Sequence, residues 1–525
     1  MPDLLDDELI FEKVRDISAG QYSYPFPTDD VIIPKNAGVE LLDLEIDQIG
    51  QRSKRKGYTL KADDLGTVAI HGLFGYSPSG GTRVLLTETN GAIYSWDGAA
   101  ATWTSRQTGL TAPADWTEFV AAAVGAVSRV FRLGPTDNIR SSTDGVTWVD
   151  EGNLNTNFPL AKIGLWTSIQ RMLAANTTDE PNGLFYSNAG DPRTWDRGAN
   201  FFRIGRPDVR GIMGLIEWTN LNVMAWTYEE MHFLDISNAT PGNWQRQKVA
   251  DIGCTAPRSV RLIGEDGLFL ARDGVRSVLQ SAQDKKRGVS PPISFPIQDW
   301  IDRINWANAH KAVAWVWADK YFLAVPIDDS TVNSHILVWS RKAFEANGGR
   351  GGWVIWRIKA NAFATQDFSS KPRLYHGEAT ADSKVYELRS SNPADDATSD
   401  NGTAISFSET GRRMDHEAPE VDKTYESIEV EAIAQNTGSL LVEAQVDGGG
   451  FSTVGTISLL SGAPTLPVTL PFTLVGAALV RQKFNLEGLG RGRDIQVRLT
   501  ETTLDADVTV LGYTVAAFAE DYEAG

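Results

Sequence analysis

Apolar and polar positions alternate most clearly in the last quarter of the chain. The pattern runs through Ser427-Ile-Glu-Val-Glu-Ala-Ile433, Leu440-Leu-Val-Glu-Ala-Gln-Val446, Asp494-Ile-Gln-Val-Arg-Leu-Thr500 and Val508-Thr-Val-Leu-Gly-Tyr-Thr-Val515. A period of two sends successive side chains to opposite faces, so each run predicts a half-buried β-strand. Asp447-Gly-Gly-Gly450 predicts a hairpin turn into Phe451-Ser-Thr-Val454. The spacing of runs and turns fits a C-terminal β-sandwich over 403–525.

The middle of the chain repeats. Short strand-like runs end in turns followed by an aromatic residue: Ala92 to Gly98 then Trp103, Ile139 to Trp148, Leu184 to Trp195, and His232 to Trp244. Trp103, Trp148, Trp195 and Trp244 stand 45, 47 and 49 residues apart. Two more steps reach Trp339, a third reaches Tyr386, and the skipped step holds the strand–turn–strand run Gly267 to Val275. A period of about 40–50 residues built from hairpins is the mark of propeller blades, and about seven are expected over 61–396. One hairpin is more specific. In Ser142-Thr-Asp-Gly-Val-Thr-Trp148, which resembles a shortened Asp-box, Asp144 can accept turn N–H groups, Gly145 permits positive φ and Trp148 packs between strands. These three residues are expected to be structural.

Pro25, Pro27 and Pro34 break any helix near the start, so residues 1–60 read as an extended arm contributing to a platform with the C-terminal domain. The chain is therefore all-β. Turn residues crowd 391–402 and mark a boundary. All 16 tryptophans lie between Trp96 and Trp356, which also sets the middle apart. Charge divides the chain in the same way. The net charge is −18. Residues 1–50 hold 12 acidic and 3 basic side chains and residues 401–525 hold 18 and 8, which leaves the middle nearly neutral. Against that background Arg52, Lys54, Arg55 and Lys56 form a basic cluster with three readings: contact with DNA, contact with a neighbouring subunit, or pairing with the acidic C-terminal domain.

Catalytic patterns are sparse. The six histidines stand singly, Cys254 is the lone cysteine, and no Walker loop, Gly-x-Ser-x-Gly elbow or strand-led Rossmann fingerprint occurs. Gly488-Leu-Gly-Arg-Gly-Arg493 precedes a strand and reads as a basic turn. No metal, no cofactor and no membrane-spanning segment is expected. A sialidase-like hydrolase is the enzymatic alternative, with Tyr228, Glu229 or Glu230 as nucleophile and base and Arg258 or Arg272 clamping a carboxylate.

The order of features resembles the tail nozzle, or hub, proteins of short-tailed bacteriophages. The likeness is carried by Ala37 through Leu44, then Gly50-Gln-Arg-Ser-Lys-Arg-Lys-Gly-Tyr58. It continues in Leu184 through Asp196, in Gly253-Cys-Thr-Ala-Pro-Arg-Ser-Val260 and in Asp266 through Val275. The resemblance implies a non-enzymatic virion protein, assembled in the host cytoplasm as a homohexameric ring. That ring would sit below the portal and head-to-tail adaptor and carry tail fibres or spikes. Double-stranded DNA would pass through without sequence-specific binding, retained until ejection, and acidic ends lining the channel would keep it from sticking. The alternative outside that family is another virion or surface propeller that binds glycans.

Overall fold

Short β-branched and aromatic runs between turn residues fold as antiparallel meanders. The computed structural model describes residues 9–23, 33–46, 50–153, 157–207, 210–287, 290–368, 370–435, 437–460 and 479–519. Its middle is a β-propeller. Among the described residues, six four-stranded units lie at 72–107, 118–150, 161–203, 212–250, 313–356 and 360–390. The last of them takes its fourth strand from Thr59–Leu60. A three-stranded sheet at 261–277 stands between the fourth and fifth units. It lacks an outer strand because the chain leaves it directly into the helix Val278–Arg287.

First strands meet first strands around the ring. Gly72–Tyr76 lies against Ala360–Phe368 on one side and Glu118–Val124 on the other, and Ala161–Trp166 lies between Glu118–Val124 and Ile212–Thr219. These strands therefore line the axis. Between neighbouring units the apolar faces interlock. Val120, Phe131 and Leu133 pack on Ala161, Met172 and Ala174, while Leu73, Leu85 and Trp96 pack on Ala362, Ala364 and Tyr375 where the ring closes. The helical segment after the three-stranded sheet buries Ile297, Trp300, Ile301 and Ile304 with Leu268, Leu270 and Leu323. Trp103, Trp148 and Trp244 each stand immediately before the fourth strand of a unit, and Trp195 stands six residues before one. Trp339 and Tyr386 fall instead inside the third strands His335–Ser340 and Val385–Ser390.

Closure buries a histidine. Leu60 pairs with Tyr386 and Thr59 with Glu387. The preceding Tyr58 meets His376 edge-on at 5.1 Å and Tyr386 at 4.7 Å. His376 is 1% exposed. Burial, with the Arg55 and Arg389 charges adding to it, pulls its pKa from 6.5 to about 3. The unfolded chain thus takes this proton below about 6.5 while the folded chain does not, so stability falls as pH drops through that window. From pH 7 to pH 5 the loss is expected to be about 2 kcal/mol, and His376→Gln should flatten the urea midpoint against pH over the same range. An unchanged slope in the variant would contradict this.

The remaining strands form two sheets. One runs in the order Leu479–Asn485, Lys423–Ile433, Thr509–Ala519, Arg52–Lys54, Leu44–Glu45, with Leu9–Val14 also on Thr509–Ala519 and Arg491–Gly492 also on Lys423–Ile433. The other is continuous with the propeller. From Trp353–Trp356 it passes through Gly20–Gln21 and Ala37–Leu42 to Phe407–Gly411, Ile495–Glu501, Ser439–Val446 and Ser452–Ser458, and with the unit at 313–356 it counts ten strands. Ile428 and Val430 of the first sheet and Val442, Val497 and Leu499 of the second belong to one buried cluster, which also holds Phe322, Val338 and Trp356 of the propeller. The described strands between Leu9 and Leu60 are accordingly woven through both bodies and not extended beside them. Pro34 precedes the strand Ala37–Leu42, and Pro25 and Pro27 lie outside the described residues.

Candidate functional site

The basic cluster is internal. A strand at Arg52–Lys54 alternates its side chains, and its inward charges need partners that burial would otherwise make costly. Arg52 faces Glu409 at 2.8 Å and Lys54 faces Glu501 at 2.7 Å, with all four side chains at most 1% exposed. Arg55 donates Nε to Asp43 Oδ1 at 2.6 Å and its two Nη atoms to Asp400 at 2.7 and 2.6 Å. Burial depresses the Arg55 pKa, but the Asp400 and Asp43 bonds outweigh it and leave it raised. Lys56 pairs with Asp507 at 2.7 Å and keeps 28% exposure. As candidate DNA or subunit contacts, Arg52, Lys54 and Arg55 are therefore corrected: enclosed and answered by carboxylates of the same chain, they have no free face for phosphate.

The Asp-box-like turn has the geometry that its residue types imply. Asp144 Oδ1 accepts from the N–H groups of Val146 and Thr147, both at 2.8 Å. Burial pushes the carboxyl pKa up, yet these bonds hold it below its ordinary value. Gly145 has φ +73, and a Cβ there would meet Val84 Cγ2 of the neighbouring unit at 2.6 Å. Tyr76 Oη donates to Thr143 O at 3.0 Å, and Trp148 lies 6.3 Å from Phe119. The turn thus joins two blades.

Tyr228 and Glu230 of the hydrolase alternative are each engaged by other side chains. Glu230 accepts from Lys248 at 2.8 Å and meets His232 Nε2 at 3.1 Å. Burial raises its pKa, but these two partners lower it overall and keep the carboxylate charged. Glu229 is exposed on the turn. Tyr228 lies under the Arg210 guanidinium, 3.4 Å from the ring centre, with Arg272 5.4 Å away. Arg258 is buried, donating to Asn361 O at 2.6 Å and Lys311 O at 3.0 Å. Burial pulls its pKa down to about 10.

A cavity of about 450 Å³ opens where the first strands begin. Asp115 and Trp116 precede one first strand, Lys162 stands in the next, Arg210 precedes a third, and Trp306 and His310 come from the chain before Val313–Trp317. His310 Nε2 lies 3.3 Å from Asp115 Oδ1, and Lys162 Nζ is 5.9 Å from the Trp116 ring centre. Asn176 Nδ2 donates to Arg210 O and Ile212 O, fixing the backbone that presents Arg210. None of Lys162, Arg210, Trp306 and His310 belongs to a sequence motif; the one signal they share is that each lies at or shortly before a first strand. Among the described residues, no group of three or more His, Cys, Asp or Glu stands close enough to hold a metal ion, and no helix is long and apolar enough to cross a membrane.

No protein-family profile and no curated protein matches the chain. Solved structures align with it at low similarity. Raptor of Chaetomium thermophilum aligns over 64% of this chain and 29% of its own, at 10% identity and TM-score 0.39. YCF48 from Cyanidioschyzon merolae aligns over 63% and 98%, at 11% identity and TM-score 0.35. A glycoside hydrolase family 43 arabinoxylan arabinofuranohydrolase from Bacillus subtilis aligns over 95% and 99%, at 10% identity and TM-score 0.22. The chain spans under a third of Raptor, and scores this low carry no functional argument. The propeller assignment rests on the sheet topology itself.

Proposed function

We propose that the protein is a non-enzymatic nozzle or hub subunit of a short-tailed phage tail. In this reading copies close into a homohexameric ring below the portal and adaptor, continue the DNA channel, hold packaged DNA and release it on ejection. The three-stranded sheet counts as an incomplete seventh blade. The two sheets outside the propeller are a β-sandwich platform built from the segment ahead of Thr59 and from 403–525, and the propeller is 61–396 completed by the strand Thr59–Leu60. The observation that carries the reading is the ten-stranded sheet running from a blade into the platform strands. Main-chain hydrogen bonds then join the two bodies, which suits a ring subunit that must bear load without shifting. The acidic-channel idea needs adjustment, because Asp43, Asp400, Glu409 and Glu501 are bound to buried cations. Exposed carboxylates such as Glu40 and Asp505 are the ones left to repel DNA.

The test is the solution mass of the purified chain, with negative-stain images of any oligomer, alone and after mixing with a portal–adaptor complex. A sixfold ring with an open centre is expected in at least one of the two. A chain that stays monomeric and ignores the complex would overturn the proposal.

A further inference from the structure

A cavity of about 780 Å³ opens where Tyr22 and Ile33, the segment 291–296 and the glycine-rich turn at 349–351 come together. Four prolines, which have no N–H to offer, line it together with Ile293, Phe295 and Phe344. Among the described residues no carboxylate lines it. Two of its polar side chains are already engaged: Lys35 pairs with Glu417, and Gln280 Nε2 donates to Pro291 O at 3.3 Å. Two others are not. Tyr22 is 5% exposed and lines the cavity, yet its hydroxyl has no hydrogen-bond partner among the described residues. Arg350 is exposed on the same wall and has neither an ion pair nor a hydrogen bond among them.

The walls are held by bonds of the chain itself. Gly349 and Gly351, on either side of Arg350, have φ +83 and +69, a region that favours glycine. Gly349 N–H donates to Phe344 O at 2.9 Å, and Gly351 O accepts from Trp339 Nε1 at 3.1 Å. A Cβ at Gly351 would collide with Ala19 O and meet Tyr22 Cε2 at 3.0 Å, so the glycine lets the turn close on Tyr22. Burial raises the Tyr22 pKa and the Arg350 charge pulls against it; the net rise keeps the hydroxyl a donor at neutral pH. On the facing wall Trp353 Nε1 donates to Ile293 O at 3.0 Å, and Ile293 N–H donates to Val275 O at 2.9 Å. One guanidinium and one hydroxyl suit a single carboxylate, whereas a phosphate dianion would turn further oxygens toward walls without donors. The volume is that of a small-molecule site. We propose that this cavity binds a small amphipathic carboxylic acid, its carboxylate held by Arg350 and Tyr22 and its apolar body against Ile293 and Phe344. The inference does not depend on the ring-shaped assembly, since every residue it uses lies in one subunit.

Isothermal titration on the whole protein tests it. The probes are octanoate and 4-phenylbutyrate, with 1-octanol, 4-phenylbutanol and acetate as controls. At least one of the two acids is expected to bind ten times or more tightly than its alcohol and than acetate. Arg350→Ala should weaken that binding at least tenfold with the melting temperature unchanged, because no other side chain leans on the guanidinium. Tyr22→Phe should weaken it at least threefold and leave the alcohol's binding as it was. Equal binding of acid and alcohol, equal binding of acetate, affinity retained in Arg350→Ala, or no binding by either acid would each overturn the proposal.

Discussion

Arg55→Ala is expected to lower the stability of the folded chain by about 3–5 kcal/mol. The reason is what the truncation leaves behind. Arg55 and Asp43 are 1% and 3% exposed at the side chain, and Asp400 is 14% exposed. Asp43 would keep the Arg357 guanidinium at 2.6 Å, but Asp400 would lose both of its bonds to Nη. Its desolvated carboxylate would then be uncompensated. Arg55→Lys keeps the charge without the planar fork and should fall between wild type and alanine. Urea denaturation gives the size of the loss. Limited proteolysis adds its location, with earlier cutting near 395–402, where Asp400 anchors the chain. A cost under about 1 kcal/mol would mean that the pair behaves like an exposed one.

Trp356→Ala should cost a similar 3–5 kcal/mol, by a different route. The indole is fully buried, 5.3 Å from Phe322, with Arg389 4.7 Å over its face. Its Nε1 donates to Leu44 O at 2.8 Å. Truncation opens a cavity where the blade and the C-terminal strands share a core, and it strips a buried carbonyl of its donor. Trp356→Phe keeps most of the volume and loses only the donor, so about 1–2 kcal/mol is expected from it. Because one apolar cluster spans both bodies, the wild-type chain should unfold in a single transition and Trp356→Ala in two. A single sharp transition in the alanine variant would show that the bodies are coupled elsewhere.

Local periodicity made much of this architecture readable. The alternating runs near 430, 443, 497 and 512 are strands, because one face of each meets a core and the other meets solvent or polar partners. Trp103, Trp148, Trp195 and Trp244 all fall between the third and fourth strands of their blades, so their spacing exposed the repeat. The three-stranded sheet was harder to foresee. Gly267 to Val275 has the same strand–turn–strand pattern as a full blade, and only the helix after it removes the outer strand. Ion pairing was legible only in outline. Pairing with the acidic C-terminal domain was one reading of the basic cluster, and Arg52, Lys54 and Lys56 do meet Glu409, Glu501 and Asp507, but the individual partners were not legible. Lys54 and Glu501 meet through tertiary packing, and nothing in the sequence near either residue names the other. The axial cavity is hidden for the same reason, since Lys162, Arg210 and Trp306 come from three separate turns of the repeat.

The pairing of early strands with late ones also sets a timetable. Blades from 72 to 250 find their partners within a few dozen residues and can form as they emerge. Leu60 must wait for Tyr386, and Leu9 for Phe518, before either has an antiparallel neighbour. Until then Val14, Leu41 and Leu44, all destined for the core, stay without their cover. The strands made ahead of the propeller are thus among the last to settle, which makes nascent chains prone to sticking and places the slowest folding step at the seam where the chain's early and late strands interlock.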